Sequence, residues 1–185
     1  MRIPIVVHHR HVHLSKKDMD ALFGPKMTPL SDLGHKGQHA YQETVDVVGE
    51  RGVLERVRVL GPSRDETQLE LSPVEAIALG LDAPVRSSGD LARAATVKLK
   101  GPKGEVRRRC AIIPVRHLHA DLADATRLGV SHNDVVTLEV DGHRRIEQVL
   151  VRVHPTFALE CHLSPDEAAE LWVHTGDTAH LAKPG

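Results

Sequence analysis

Two histidines spaced two residues apart occur twice in this chain. They are His11 and His13 in Arg10-His11-Val12-His13-Leu14-Ser15, and His117 and His119 in Arg116-His117-Leu118-His119-Ala120-Asp121. Variants of the same figure carry Glu70 in Leu69-Glu70-Leu71-Ser72 and His162 in Cys161-His162-Leu163-Ser164. In all four, a residue able to bind a metal stands two positions before a Ser or Asp that can cap a helix. On a strand, residues i and i+2 share a face, so each His-x-His pair can converge on one ion. Six candidate ligands result: His11, His13, Glu70, His117, His119 and His162. A catalytic zinc takes three protein ligands and keeps a position open, so six divide between two ions. Imidazole and carboxylate ligands suit zinc, or cobalt, nickel or manganese.

A lone histidine at a strand end is more often a surface or satisfied core group than a ligand. The repetition of His-x-His, each time after Arg and before a cap, outweighs that reading here. His154 competes with His162, but Pro155 follows it and no cap does. His8, His9, His35, His39, His132, His143, His174 and His180 read as non-ligands of the metals. A helix opening two residues after each ligand adds free N–H groups, which favour an anion nearby. Arg64, delivered by the loop Gly61-Pro62-Ser63-Arg64, is suited to grip phosphate in a bidentate manner. Its spacing equally permits a surface pair with Asp65 or Glu66. Arg86 is a weaker anion candidate. Cys161 alternates with His162 and reads as a buried structural residue.

The elements that must position these residues are short. Ile3 to Leu14 reads as one strand, and Ser15-x-x-Asp18 as a capping box opening a helix that Gly24-Pro25 stops. Residues 30–42 read as loop. Residues 43–60 alternate around the turn 49–52, giving a hairpin with Val53, Val57 and Val59 facing inward. A strand over 67–71 precedes a helix capped at Ser72, with Pro73 at its first position. A second hairpin spans 95–114, and a strand over 112–118 brings in His117 and His119. Asp121 opens another helix. A third hairpin follows over 134–153, and Ser164-Pro165-Asp166-Glu167 opens the last helix. The tail after Gly176 is weakly patterned. Short strands joined by hairpins and interrupted by short helices predict a mainly β fold of small barrels, not a doubly wound sheet.

The bulk composition fits one sizeable domain or two small barrels: 185 residues, 41% hydrophobic and 26% charged. Aromatics are only 2%, so Val, Leu, Ile and Ala must fill the core. A formal net charge of −1 gives no electrostatic case for nucleic acid or for a membrane surface. No apolar run is long enough for a membrane helix. Two cysteines make neither a disulfide framework nor a CxxC metal site, which predicts a reducing cytoplasm.

Taken together, the motifs resemble the PduL-type phosphotransacylases, the phosphate propanoyltransferase family of bacterial microcompartment metabolism. The resemblance runs through 10–15, Val-Leu-Gly-Pro-Ser-Arg-Asp-Glu-Thr-Gln-Leu-Glu-Leu-Ser at 59–72, and Pro-Val-Arg-Ser-Ser-Gly-Asp at 84–90. It continues through Arg-His-Leu-His at 116–119 and Phe-Ala-Leu-Glu-Cys-His-Leu at 157–163. It implies two tandem small β-barrels capped by short helices, with a dinuclear zinc site between them. The expected domains are 1–43 with 115–185, and 44–114. His11, His13 and Glu70 would hold one zinc, which can meet the thiol of coenzyme A. His117, His119 and His162 would hold the second. Arg64 would grip phosphate, and His8, His9, Arg51 and Arg58 would contact coenzyme A.

The implied reaction is reversible: acyl-CoA plus phosphate gives acyl phosphate plus coenzyme A. The alternative is a zinc-dependent thioester or phosphoester hydrolase. Ala169 stands where the family carries an Asn that contacts coenzyme A, and Cys161 where it carries a Met. His8 stands where smaller residues are common. A homo-oligomer and microcompartment pathway enzymes are the protein partners the resemblance admits. With only nine residues before Arg10, the expectation is a cytosolic member, or one whose start was trimmed, with a microcompartment location as the alternative.

Overall fold

The computed structural model describes residues 1–32 and 37–182. The first half of the chain runs β1 (Ile3–Val7), β2 (His11–Ser15), α1 (Lys16–Phe23), β3 (Pro29–Asp32), β4 (His39–Val48), β5 (Val53–Arg64), β6 (Gln68–Glu70), α2 (Pro73–Leu79), β7 (Val85–Arg86) and β8 (Ala95–Gly101). The second half runs β9 (Gly104–Pro114), β10 (His117–Ala120), α3 (Leu122–Leu128), β11 (Val135–Val140), β12 (Arg144–Val153), β13 (Glu160–Leu163), α4 (Pro165–Leu171) and β14 (Thr178–Leu181). The chain divides into two compact units. Unit 1 is Met1–His9 with Val115–Gly185, and unit 2 is Arg10–Pro114.

Unit 1 is a closed barrel in the order β1-β13-β10-β12-β11-β14, with β14 pairing back to β1. In unit 2 the ring runs β4-β5-β2-β6-β9-β8, and β8 closes it on β4. β3 and β7 are appended to β4 and β9. The two rings repeat one scheme of pairing. In unit 1 the antiparallel pair β10/β13 is flanked by the parallel partners β12 and β1. In unit 2 the antiparallel pair β2/β6 is flanked by the parallel partners β5 and β9. Closure leaves each ring without a free edge. The mainly β fold of small barrels with short helices is thus what the chain forms.

The barrel interiors are aliphatic. Unit 2 buries Val12, Leu14, Leu69, Leu79 and Leu99 completely, and unit 1 does the same with Ile3, Ile5, Leu118, Leu138 and Ile146. Each such side chain is worth roughly 1.5–3 kcal/mol on burial, so the fold needs few aromatics.

Several boundaries differ from the sequence reading, each for a pairing reason. The strand expected over 3–14 is two strands. β1 pairs with β13 and β14, whereas β2 pairs with β5 and β6, so residues 8–10 leave one sheet and enter another. The first unit boundary therefore falls between His9 and Arg10 and not at residue 43. The strand expected over 112–118 likewise breaks after Pro114. The loop expected over 30–42 contains the end of β3 and the start of β4, which pair through Ser31↔Ala40 and Asp32↔His39. Backbone pairing there needs no apolar alternation. The tail beyond Gly176 holds β14, which closes unit 1 between β1 and β11. Val57 and Val59 are buried as expected, but Val53 is 53% exposed. Arg56 lies between them with φ of 54°, and a residue in that conformation shifts the alternation of β5 by one. His35 and part of the 30–42 loop lie outside the described residues.

The capping box expected at Ser15–Asp18 is only half formed. Ser15 accepts from the Asp18 amide. The Asp18 carboxylate, however, is almost fully buried and turned away to a different task. It accepts from Thr67 Oγ1 at 2.6 Å and from Arg108 Nη2 at 2.5 Å and Nε at 2.9 Å. Thr67 Oγ1 in turn accepts from the Ser15 amide at 2.9 Å. The network ties the β2–α1 junction to the residue preceding β6 and to β9. Removing Arg108 would strand a buried carboxylate, so Arg108→Ala is expected to cost roughly 3 kcal/mol in denaturant unfolding. Arg107→Ala, one residue away, should change stability little.

Candidate active site

Strands β2, β6, β10 and β13 position the candidate ligands by period-two alternation. Val12, Leu69, Leu118 and Cys161 are completely buried in the barrels, and their neighbours on either side turn to the opposite face. Antiparallel register then sets the partners. His11 lies opposite Glu70 and His13 opposite Gln68 in unit 2. His117 lies opposite His162 and His119 opposite Glu160 in unit 1.

In unit 1, His117, His119 and His162 offer ligand atoms within 4.8 Å of one another. Their ring centroids are 4.5–4.8 Å apart. His117 Nδ1 lies 2.8 Å from the Val115 carbonyl, which can only accept. The Nδ1 proton is therefore fixed, and Nε2 is the nitrogen that keeps a lone pair. The His119 ring is stacked on Phe157 at 3.8 Å, and His8 stacks on His162 at 4.5 Å. Glu160 Oε2 lies 3.0 Å from His162 Nε2. Three imidazoles at this spacing are a donor set that zinc accepts, so the residues fit the metal expected here. His154 is exposed and holds Thr156 Oγ1 at 2.8 Å, outside this cluster.

In unit 2, His11 Nε2 stands 3.4 Å from Glu70 Oε2, and both residues are buried. The His13 ring meets that of His11 edge-on at 5.2 Å. His11, His13 and Glu70 do not all come within the spacing seen in unit 1. Gln68 Nε2 donates to Glu70 Oε1 at 2.6 Å, and the other carboxylate oxygen is the one turned to His11. Two imidazoles with a carboxylate remain a donor type that zinc accepts. Arg64, the last residue of β5, donates from Nη1 to Ser88 Oγ at 3.2 Å. Burial pulls its guanidinium pKa down and the charge of Glu70 pulls it back. Asp65 and Glu66, its alternative partners on sequence spacing, are exposed.

The remaining candidates are dispersed. Arg58 lies opposite His11 in register, and its Nη1 donates to the carbonyls of Tyr41 and Gln42 at 2.9 and 3.0 Å. Arg51 is exposed in the β4–β5 turn, where its amide donates to the Leu79 carbonyl. That is the far end of α2 from its Ser72 cap. His9 is exposed after β1. Arg86 spends its guanidinium on its own loop, donating to the Val85 and Ala92 carbonyls. Each helix start carries its own cap, Ser15, Ser72, Asp121 or Ser164 taking one amide of the first turn. Arg64 supplies positive charge beside Glu70. The sequence reading passed over Gln68, Ser88 and Glu160. The signal for two of them was present: Gln68 and Glu160 stand two residues before Glu70 and His162, the spacing that drew attention to His-x-His.

The chain matches known proteins along nearly its whole length. The family model for phosphate propanoyltransferase matches residues 4–174. A phosphate propanoyltransferase of Thermotoga maritima is 43% identical over 98% of this chain and 89% of its own. One from Priestia megaterium is 43% identical over 97% and 85%, and one from Rhodopseudomonas palustris 37% identical over 98% and 83%.

Neither cysteine is poised for nucleophilic work. Burial raises both thiols, Cys110 and Cys161, from about 9 to about 12. At pH 8 the thiolate fraction is then about one in ten thousand. Folded protein should resist iodoacetamide at pH 8, and denatured protein should take up two labels. The sign of the pH effect on stability also follows. The unfolded thiols ionise near pH 9 while the folded ones keep their protons, so stability should fall between about pH 9 and pH 12. Denaturant midpoints of the wild type and of a Cys110→Ala/Cys161→Ala variant across that window would measure it.

Proposed function

The chain belongs to the phosphate propanoyltransferase family and is an acyltransferase with phosphate as acceptor; from that premise we propose that it moves a short acyl group, propionyl or acetyl, reversibly between coenzyme A and phosphate with the help of two zinc ions. One ion belongs to His117, His119 and His162, and the other to His11, His13 and Glu70. His8, His9, Arg51 and Arg58 are assigned to coenzyme A. The observation that supports this most is Arg64, partly buried and within the electrostatic reach of the carboxylate of Glu70. A desolvated guanidinium beside a carboxylate that would itself be neutralised by metal is a site for a tetrahedral oxyanion.

Bound zinc would supply Lewis acidity toward the thioester carbonyl and toward the departing thiolate. Arg64 holds phosphate and offsets its charge as one oxygen approaches the acyl carbon. The new C–O bond forms as the C–S bond breaks, and the electron pair leaves on sulfur. No protein nucleophile is required, in keeping with thiols raised to about 12. Orientation of two bound reactants then accounts for much of the acceleration.

Arg64→Ala should raise the KM for phosphate about 100-fold while leaving metal content unchanged, as expected for loss of charge-assisted hydrogen bonds. Glu70→Ala or His119→Ala should lower the zinc stoichiometry from two to about one and remove activity. Full turnover by metal-stripped protein would sink the zinc reading. Acyl-CoA consumption at an undiminished rate without phosphate would favour the hydrolase instead. If the two ions form one dinuclear centre, the manganese-substituted protein should show spin coupling by electron paramagnetic resonance, and two isolated signals would separate them.

A further inference from the structure

One hydrogen-bond network of unit 2 lies outside the ligand set and has an unusual completeness. Gln68 is 2% exposed. Its Nε2 donates to Glu70 Oε1 at 2.6 Å and to Ser88 Oγ at 2.9 Å. Its Oε1 accepts from the Gly89 amide at 2.7 Å. A carboxylate can only accept and a backbone amide can only donate, so the orientation of the Gln68 amide is fixed. Both of its N–H bonds are committed, one to the metal-facing carboxylate and one to the loop at 87–89.

Ser88 receives a second donor. Arg64 Nη1 reaches the same Oγ at 3.2 Å. A hydroxyl has two lone pairs and one proton. With both lone pairs taken by N–H groups, Ser88 has only its proton left to give. Among the described residues its hydroxyl donates to none, and Ser88 is exposed on its loop. Donation from Arg64 and Gln68 also polarises the O–H bond and strengthens it as a donor. The group that such a hydroxyl meets best has acceptors and no proton of its own to offer, as an ionised phosphate oxygen does.

We propose that Ser88 donates a hydrogen bond to the phosphate held by Arg64, and that Gln68 is the positioning residue that aims both this hydroxyl and the carboxylate of Glu70. The assignment rests on the reading of Arg64 as the phosphate-binding residue. Gln68 thereby couples two jobs. It leaves Glu70 Oε2 as the oxygen turned to His11, and it holds the Ser88 loop against the guanidinium. The register-equivalent residue in unit 1 is Glu160, which has no amide proton and so cannot build the same relay. This makes the two halves of an internally repeated fold chemically unequal, with the oxyanion placed on the side that carries Gln68.

The test is a comparison of Ser88→Ala, Ser88→Thr, Gln68→Ala and Arg64→Ala in the zinc-loaded enzyme, with KM for phosphate, KM for acyl-CoA, bound zinc and thermal midpoint measured for each. Ser88→Ala should raise the phosphate KM about 10- to 100-fold, the effect of losing a hydrogen bond to a charged group. Its acyl-CoA KM, zinc content and thermal midpoint should stay at wild-type values. Ser88→Thr, which keeps a hydroxyl, should recover most of the loss. Gln68→Ala should raise the phosphate KM and also lower zinc retention under mild chelation. The double variant Ser88→Ala/Gln68→Ala should weaken phosphate binding by less than the product of the single effects. A phosphate KM within twofold of wild type for Ser88→Ala, while Arg64→Ala raises it strongly, overturns the proposal and leaves the phosphate reading standing. An unchanged phosphate KM in Arg64→Ala overturns both. Equal rises in both KM values for Ser88→Ala would mark a general disturbance of the loop and also overturn it. Isothermal titration of inorganic phosphate into the same proteins gives a readout independent of turnover.

Discussion

The ligand positions depend on one constraint, the antiparallel register of two short strand pairs. In each pair the residue between candidate ligands is a fully buried plug: Val12 against Leu69, and Leu118 against Cys161. A slip of one residue would drive imidazoles and carboxylates into an aliphatic barrel and expose the plugs. The loss would be roughly 1.5–3 kcal/mol for each aliphatic plug and more for each polar group buried without partners. Barrel closure makes the slip still less accessible, because each strand is also held on its other side by a parallel neighbour. The same alternation that builds the core thus aims the chemistry.

On that common frame the two units carry different electrostatics. Unit 1 presents three imidazoles, one with its tautomer fixed by the Val115 carbonyl and another stacked on Phe157. Unit 2 presents a carboxylate within reach of a guanidinium, with Gln68 between carboxylate and loop. Three imidazoles, with the Glu160 carboxylate 3.0 Å from one of them, are a donor set that suits a metal. A carboxylate beside Arg64 is balanced in charge until a metal is added, after which a net positive site remains for an anion.

Local sequence was informative wherever the decisive interactions are local. The capping boxes at Ser72 and Ser164, with Pro at the first helical position, formed as expected. The helices that follow Ser72 and Asp121 end at Gly80 and Gly129, both in the left-handed conformation that glycine adopts without a Cβ clash. Failures came where distant partners override the pattern. Asp18 has the spacing of a capping box, but a buried carboxylate gains more from Arg108 and Thr67 than from the Ser15 amide. Thr178–Leu181 has little pattern of its own, yet it closes a barrel because β1 and β11 leave a place for it.

The sequence by itself determined which residues could bind a metal. His-x-His and its two variants are period-two signals, and period two is a property of any strand. It also determined the aliphatic, aromatic-poor core and hence the short-stranded barrels. Tertiary structure alone decided which strand faces which. It paired His11 with Glu70 and His117 with His162, moved the first boundary to His9/Arg10, and brought Ser88 to Arg64 across 24 residues of chain. Those outcomes rest on hydrogen bonds between segments far apart in sequence, whose partners no local spacing encodes.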